Sequence, residues 1–353
     1  MLQVLRREIA AGRWPKWMPT ERVLSEQLQV SRRTIRSAMA QLSREGIVSS
    51  HVGLGTRVLK RLSQKTSTSF KLERSVGLLT PEPIDSLQPY LMLWIDHLKS
   101  LLFNSGITLD IHTGHQFFRK GGGGGLQRLL KQHSHACWVL ALSNETVQRW
   151  FCENKIPTIV AGMLHPGIDL PTVYLDTHAL GKHATGHLLA AGHSKLLFLS
   201  ELHPSPGAAA AECGFTEEVQ RTSSRGVRGE VWHLEAEPQV YRRVVEKLLR
   251  QPSRVTGIVC LNPLAGATVV TALMRNGVRI PDDVSVITTY GDPFMRFLSP
   301  EPTRYSYRPN VFAKKIDRIV SQIVSGVTLT ERSVRLMPSF IKGETLAPSR
   351  RIS

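Results

Sequence analysis

Acidic residues are scarce in this chain. Its 353 residues hold 28 Asp and Glu against 45 Lys and Arg, a formal net charge of +17. Cysteines are few, and the four, at 137, 152, 213 and 260, are scattered. No C-x-x-C pair exists, so neither a zinc-ligand framework nor a disulfide scaffold is signalled. Buried or half-buried reduced thiols in a cytoplasmic protein are expected instead. Long apolar runs are missing as well. The N-terminus carries no secretory pattern. The most apolar stretch, 257–274, is interrupted by Asn262 and Pro263 and reads as strand, turn and helix rather than as a membrane span. The nucleophile elbow G-x-S-x-G, the metalloprotease H-E-x-x-H and the phosphate loop ending in G-K-[ST] are all absent. The expectation is a protein that is not an enzyme, with no metal and no cofactor.

What remains is the composition of a soluble, globular chain: 41% hydrophobic and 21% charged residues, long enough for two or three folding units. The positive charge is uneven. Residues 1–74 contain 15 Lys and Arg against 5 Asp and Glu, a net +10, which leaves +7 for the other 279 residues. A basic N-terminal fifth on a nearly balanced body points to a nucleic-acid or anionic-surface partner.

The first sixty residues say which. Leu5, Ile9 and Ala10 stand at helical spacing, ended by Gly12, and W-P-K-W-M-P reads as a loop. Thr20 then caps a short helix with Val23, Leu24 and Leu28 inward. Ser31 caps a second helix whose apolar face is Ile35, Ala38, Met39 and Leu42, stopped by Gly46. I-V-S-S-H-V-G-L-G-T-R-V-L alternates around a Gly-x-Gly turn and reads as a hairpin. Two short helices and a hairpin make a winged helix-turn-helix. With the apolar face inward, Arg32, Arg33 and Arg36 point outward near the start of the second helix, the end that enters the major groove. Arginine can fork onto guanine or clamp phosphate, and Ser31 and Thr34 can donate to phosphate oxygens.

Residues 18–58, from Pro-Thr-Glu-Arg through Val-Ser-Arg-Arg-Thr-Ile-Arg to the Gly-Leu-Gly-Thr wing, resemble the DNA-binding domain of GntR-type regulators. The resemblance implies DNA contacts from Arg22, Arg32, Arg36 and Gly53. Thr20, Arg33, Thr34 and His51 join them by position as phosphate candidates. The first helix begins close to Met1, earlier than that family usually allows, so the expectation is either a trimmed chain or a misplaced start codon. Domain boundaries are expected at 1–59 for the winged head, 60–74 for a basic, Ser- and Thr-rich linker, and 75–353 for the body.

From Val76 onward the pattern is strand then helix, repeated. Apolar strands in βα units mean parallel sheets covered on both faces, and about 280 residues suit two such lobes. The segments V-Y-L-D-T-H-A-L-G-K-H-A-T-G-H, N-G-V-R-I-P-D-D-V-S-V-I and L-M-P-S-F-I-K-G-E-T-L resemble the effector domain of LacI/GalR-type regulators, a periplasmic-binding-protein-like fold. A GntR-type head on such a body resembles the arabinose-repressor arrangement. The fold class is thus an N-terminal winged helix-turn-helix (α+β) plus an α/β two-lobed periplasmic-binding-protein-like domain.

The resemblance implies an effector pocket at Asp176, Asn262 and Asp292. It also implies departures: Ala211 stands where the family has a ligand-binding arginine, and Asn262 or Pro263 replaces an aspartate. Losing such groups weakens or redirects sugar binding, because an unpaired buried polar group costs about 1–3 kcal/mol. The implied function is a dimeric, ligand-responsive regulator binding double-stranded operator DNA, by default a repressor of carbohydrate-related genes, with a sugar or sugar derivative as effector and no membrane partner. Two rivals stay open: a ligand-independent DNA-binding regulator with a vestigial sensor domain, and a sugar-related enzyme with a basic appendage.

Smaller signals have bland readings. Gly121–Gly125 reads as a flexible surface loop. His183, His187 and His193 read as a solvated face. Tyr90, Trp94 and Trp138 can stack on a ligand or pack in the core.

Overall fold

The computed structural model describes residues 5, 9, 14, 16–27, 30–51, 55–59, 75–235, 237–251, 255–291 and 293–349. The chain divides into two compact units, Met1–Leu72 and Glu73–Ser353. The expected linker, 60–74, lies outside the described residues, as do Gly53 and Asp292.

In the first unit, α1 (Glu21–Gln27) and α2 (Arg32–Arg44) are followed by a hairpin of β2 (Val48–His51) and β3 (Gly55–Val58). Thr20 Oγ1 accepts from Val23 N–H at 3.4 Å. Ser31 Oγ accepts from Thr34 N–H at 3.2 Å. Each hydroxyl accepts from a first-turn N–H, that of Thr34 being shared with the Ser31 carbonyl at 3.0 Å. After α2 the chain turns at Gly46, whose φ of +64° an L side chain rarely adopts. Ile35, Ala38, Met39 and Leu42 are buried with Leu5, Ile9, Trp14, Met18 and Leu24 in one small core. One reading is corrected. Trp17–Met18, expected in a loop, forms β1, antiparallel to β3, making a three-stranded sheet ordered β1-β3-β2. Burial of Met18 in the head core ties down that side.

The second unit has two lobes, each built on a six-stranded sheet. The first sheet is ordered β14-β8-β7-β6-β4-β5 and is parallel throughout. Its strands are β4 (Ser75–Thr80), β5 (Thr108–Thr113), β6 (Cys137–Ala141), β7 (Thr158–Ala161), β8 (Thr172–Leu175) and β14 (Ser333–Leu336). One face packs on α3 (Pro89–Asn104) and α10 (Pro309–Val324) through Leu78, Trp94, Leu98, Phe312 and Ile316. The other packs on α4 (Gly123–Gln132) and α5 (Glu145–Glu153) through Leu126, Trp138, Leu140 and Phe151. Trp138 is therefore core. The glycine run is corrected too: its last three residues begin α4, because Leu126 and Leu129 bury one helix face and hold that first turn in place.

The second sheet is ordered β10-β9-β11-β12-β13-β15, with only β15 antiparallel. It comprises β9 (Lys195–Glu201), β10 (Arg228–Leu234), β11 (Gly257–Cys260), β12 (Ser285–Thr288), β13 (Thr303–Ser306) and β15 (Ser339–Ile341). Helices α8 (Pro238–Arg250) and α9 (Pro263–Arg275) cover one face, and α6 (Thr177–Ala190) and α7 (Pro206–Arg221) the other. α6 and α7 cross with their backbones in contact. A Cβ on Gly181 would overlap the carbonyl of Ala211, and one on Gly214 the carbonyl of His178. Ala211 is fully buried at this crossing.

Of the histidines read as a solvated face, His183 is exposed, whereas His187 is half-buried and His193 buried in this lobe. His193 is 3% exposed and bonds Ser285 Oγ at 3.0 Å. His183 Nδ1 lies 2.6 Å from the Tyr305 hydroxyl, and His187 stacks on Phe340 at 4.0 Å. The strands that make these contacts arrive from far along the sequence, which is why helical spacing alone misplaces the rings. Of the cysteines, 137 and 260 are buried and 152 half-buried, but Cys213 on α7 is exposed. No described helix is long and apolar enough to cross a membrane.

The chain passes between the lobes three times: from β8 to α6 at Asp176, from β13 to α10 at Tyr307–Arg308, and from β14 to β15 at Met337–Pro338.

Candidate nucleic-acid interface and ligand cleft

On the head, Ser31, Arg32, Arg33, Thr34 and Arg36 are all exposed, while Ile35 between them is fully buried. The cap at Ser31 and the apolar underside together aim the N-terminal turn of α2 outward. That turn presents unsatisfied backbone N–H groups and the positive end of the helix dipole, both suited to phosphate. Arg36 is held rather than loose. Its Nε and Nη2 donate to Glu21 at 3.1 and 3.0 Å, and this pairing raises its pKa further above the usual arginine range. The hydroxyls of Ser31 and Thr34 lie 2.8 Å apart and engage each other. Arg22 and Thr20 are exposed at the start of α1, and His51 ends β2.

On the body, a cavity of about 370 Å³ lies between the two lobes. From the first lobe it is lined by Tyr90, Trp94, Asn144, Gln148, His165 and Phe312, among others; from the second by Glu201, His203, Ser205 and Tyr290. Tyr90, at the start of α3, stacks on Tyr290, which follows β12, with ring centroids 5.3 Å apart and planes 14° from parallel. Gln148 is 1% exposed and donates through Nε2 to the Met163 carbonyl at 3.2 Å, while its Oε1 accepts from His165 N–H at 2.9 Å. Glu201 sits at the carboxyl end of β9, where burial raises its pKa. Burial lowers that of His165. Among the described residues the lining holds one carboxylate, Glu201, and no Lys, Arg or Asp.

The sequence placed Asp176 and Asn262 in an effector pocket. In the structure both cap helices. Asp176 Oδ1 accepts from Ala179 N–H at 2.9 Å, and its other oxygen lies 3.4 Å from Arg335 Nη1. Asn262 Oδ1 accepts from Leu264 N–H at 2.8 Å and Ala265 N–H at 3.4 Å. Neither is among the cavity-lining residues, whereas Tyr90 and Trp94 are. Glu201, Gln148 and Tyr290 were not singled out. A signal existed for Glu201: it ends an apolar parallel strand, and ligands of open α/β sheets sit beyond the carboxyl ends of strands.

A winged head and a two-lobed α/β body enclosing a cleft define a class, the ligand-responsive DNA-binding transcription regulators. Comparison with known proteins agrees. Residues 2–58 match the family model for bacterial regulatory proteins of the gntR family, and residues 185–346 the model for a periplasmic binding protein-like domain. The chain is 23% identical over 295 residues to the arabinose metabolism transcriptional repressor of Halalkalibacterium halodurans, covering 79% of this chain and 76% of that one. It is 24% identical over 256 residues to the transcriptional repressor PurR of Haemophilus influenzae, covering 70% and 75%. A LacI-family regulatory protein from Chloroflexus aggregans superposes with a TM-score of 0.68 at 18% identity, covering 78% of this chain and 99% of that one. A LacI-family regulator from Enterococcus faecium with bound ribose gives 0.66 at 17%, covering 78% and 100%. The protein is a DNA-binding transcription regulator in which a GntR-type winged head is joined to a LacI-like, periplasmic-binding-protein-like body.

Proposed function

We propose that this regulator is a repressor that binds operator DNA as a homodimer and responds to an uncharged or cationic polyhydroxylated molecule, of the size of a monosaccharide derivative, held in the interlobe cleft. The arginine-rich start of α2 enters the major groove, with Arg32 toward base edges and Arg33 toward phosphate. Thr20, Arg22, Thr34, Arg36, His51 and Gly53 supply phosphate or wing contacts. Ligand closing the two lobes shifts the spacing of the paired heads and so the affinity for a pseudo-palindromic site.

The observation that carries the ligand class is the cleft lining. Aromatic faces at Tyr90, Trp94 and Tyr290 suit the C–H faces of a sugar ring, and the imidazoles of His165 and His203 offer hydrogen bonds. A half-buried Glu201 with no Lys or Arg among the described lining residues disfavours phosphate and carboxylate ligands. The relatives named for arabinose metabolism and the ribose-bound neighbour support a sugar-like effector.

Calorimetry against neutral sugars, amino sugars, sugar phosphates and sugar acids tests the reading, with gel shift reporting release from DNA. Binding confined to phosphorylated or acidic sugars would overturn it. A second reading has its own support. Asp176 and Asn262 are committed to helix caps and Ala211 to a helix crossing, so a body that binds no ligand and serves only to pair the heads predicts silence across the whole panel with DNA binding intact.

A further inference from the structure

A cluster of side chains lies on the first lobe, away from the cleft. His112 is on the edge strand β5, and His133 and His135 follow α4 on the way to β6. The register that pairs His112 with Leu79, and the packing of Trp138 beneath, bring the three rings together. Their nearest ring nitrogens all lie within 4.8 Å of one another. His112 Nε2 and His135 Nε2 face each other at 2.8 Å. None of the three lines the cavity.

We propose that His112, His133 and His135 form a binding site for a divalent transition-metal ion, with Zn²⁺ the ion the ligand set suits. Imidazole nitrogens without thiolates suit zinc, copper and nickel rather than magnesium or calcium. Zinc–nitrogen bonds of about 2.0–2.1 Å in tetrahedral array place ligand nitrogens roughly 3.3–3.4 Å apart, so the facing pair needs to separate by only about half an ångström.

The surroundings are those of a metal-bound histidine. His135 Nδ1 lies 2.7 Å from Ser75 Oγ and 3.8 Å from the Asp110 carboxylate. A proton on Nδ1, held toward these oxygens, leaves Nε2 as a bare lone pair aimed at the cluster. The His135 side chain is 3% exposed, and it fits because residue 77 is glycine: a Cβ there would stand 2.6 Å from His135 Cδ2 and 2.7 Å from Trp138 Cε3. His133 is exposed, which gives an ion an entry path and leaves a fourth position for water. An ion here would link β5 and the α4–β6 turn.

The test uses the untagged full chain, stripped with chelator, in equilibrium dialysis against Zn²⁺ and in absorption titrations with Co²⁺. One equivalent of Zn²⁺ per chain is expected, with cobalt d–d bands of a nitrogen-ligated, four-coordinate ion. His133→Ala alters an exposed side chain. It should leave the melting temperature of the metal-free protein unchanged and weaken metal affinity at least about tenfold. His112→Ala should do the same to affinity. His178→Ala removes a ligand from the second group of donor atoms, His178, Cys213 and Glu217 on α6 and α7, and should change nothing. The proposal is overturned by no retained zinc, by wild-type affinity in His133→Ala, or by loss of the ion in His178→Ala.

Discussion

Tyr90 and Tyr290 stack across the cleft, one from each lobe, their rings 5.3 Å apart and nearly parallel. The Tyr307 hydroxyl, on one of the crossing segments, donates to the Tyr90 carbonyl behind them. An aromatic pair of this kind is worth about 0.5–1.5 kcal/mol beyond its buried area. A double-mutant cycle of Tyr90→Leu and Tyr290→Leu, read by urea denaturation of the full chain, should give a coupling energy in that range. The same variants should weaken any cleft ligand.

The head allows a separation of reading from clamping. Arg32→Ala should cost about 1–3 kcal/mol of specific operator affinity, measured by fluorescence anisotropy. Arg33→Ala, if its contact is to phosphate, should weaken all sequences alike and reduce the salt slope by about one. Unaltered binding by both would displace α2 from the groove. Glu21→Gln, which removes the charged partner of Arg36, should change affinity for all sequences alike without loss of the fold.

Backbone contact between α6 and α7 makes Gly181 and Gly214 sensitive positions. Either glycine changed to alanine pushes a Cβ into a carbonyl that cannot move without shifting a helix. The expected loss is about 1–3 kcal/mol of unfolding free energy, read from denaturant titration, the usual magnitude of overpacking.

Acid should destabilise the body early. Burial is the first cause that pushes the pKa values of His165, His187 and His193 below the ordinary 6.5. Above that value both folded and unfolded chains hold these rings neutral, and stability is complete. As pH falls below 6.5 the unfolded chain takes up protons that the native rings refuse, so stability is lost toward the depressed native pKa values. Melting temperatures should drop between pH 7 and 5.5, and His193→Asn should show a shallower slope even though its starting stability is lower.

Much of this molecule was legible in the sequence for a local reason. Ile35, Ala38, Met39 and Leu42 announce the face of α2 because a helix repeats within a few residues, and Ser31 caps it from the adjacent position. The βα units of the body announce themselves likewise. What was hidden depends on distant partners. Trp17–Met18 becomes a strand only because Thr56 and Arg57 lie beside it. Asp176 and Asn262 look like ligand groups until the helix donors they satisfy are seen. His112 stands 21 residues before His133, and only the β4–β5 register brings them together.

The threefold passage between the lobes has a consequence for how the body can be cut. Neither lobe is a continuous stretch of chain. Residues 333–341 supply an outer strand to both sheets, β14 to one and β15 to the other. A frameshift or protease nick ahead of residue 333 would therefore not trim a tail; it would expose a raw strand edge on each half of the sensor at once. Neither half, expressed from a contiguous gene fragment, would carry its full complement of strands.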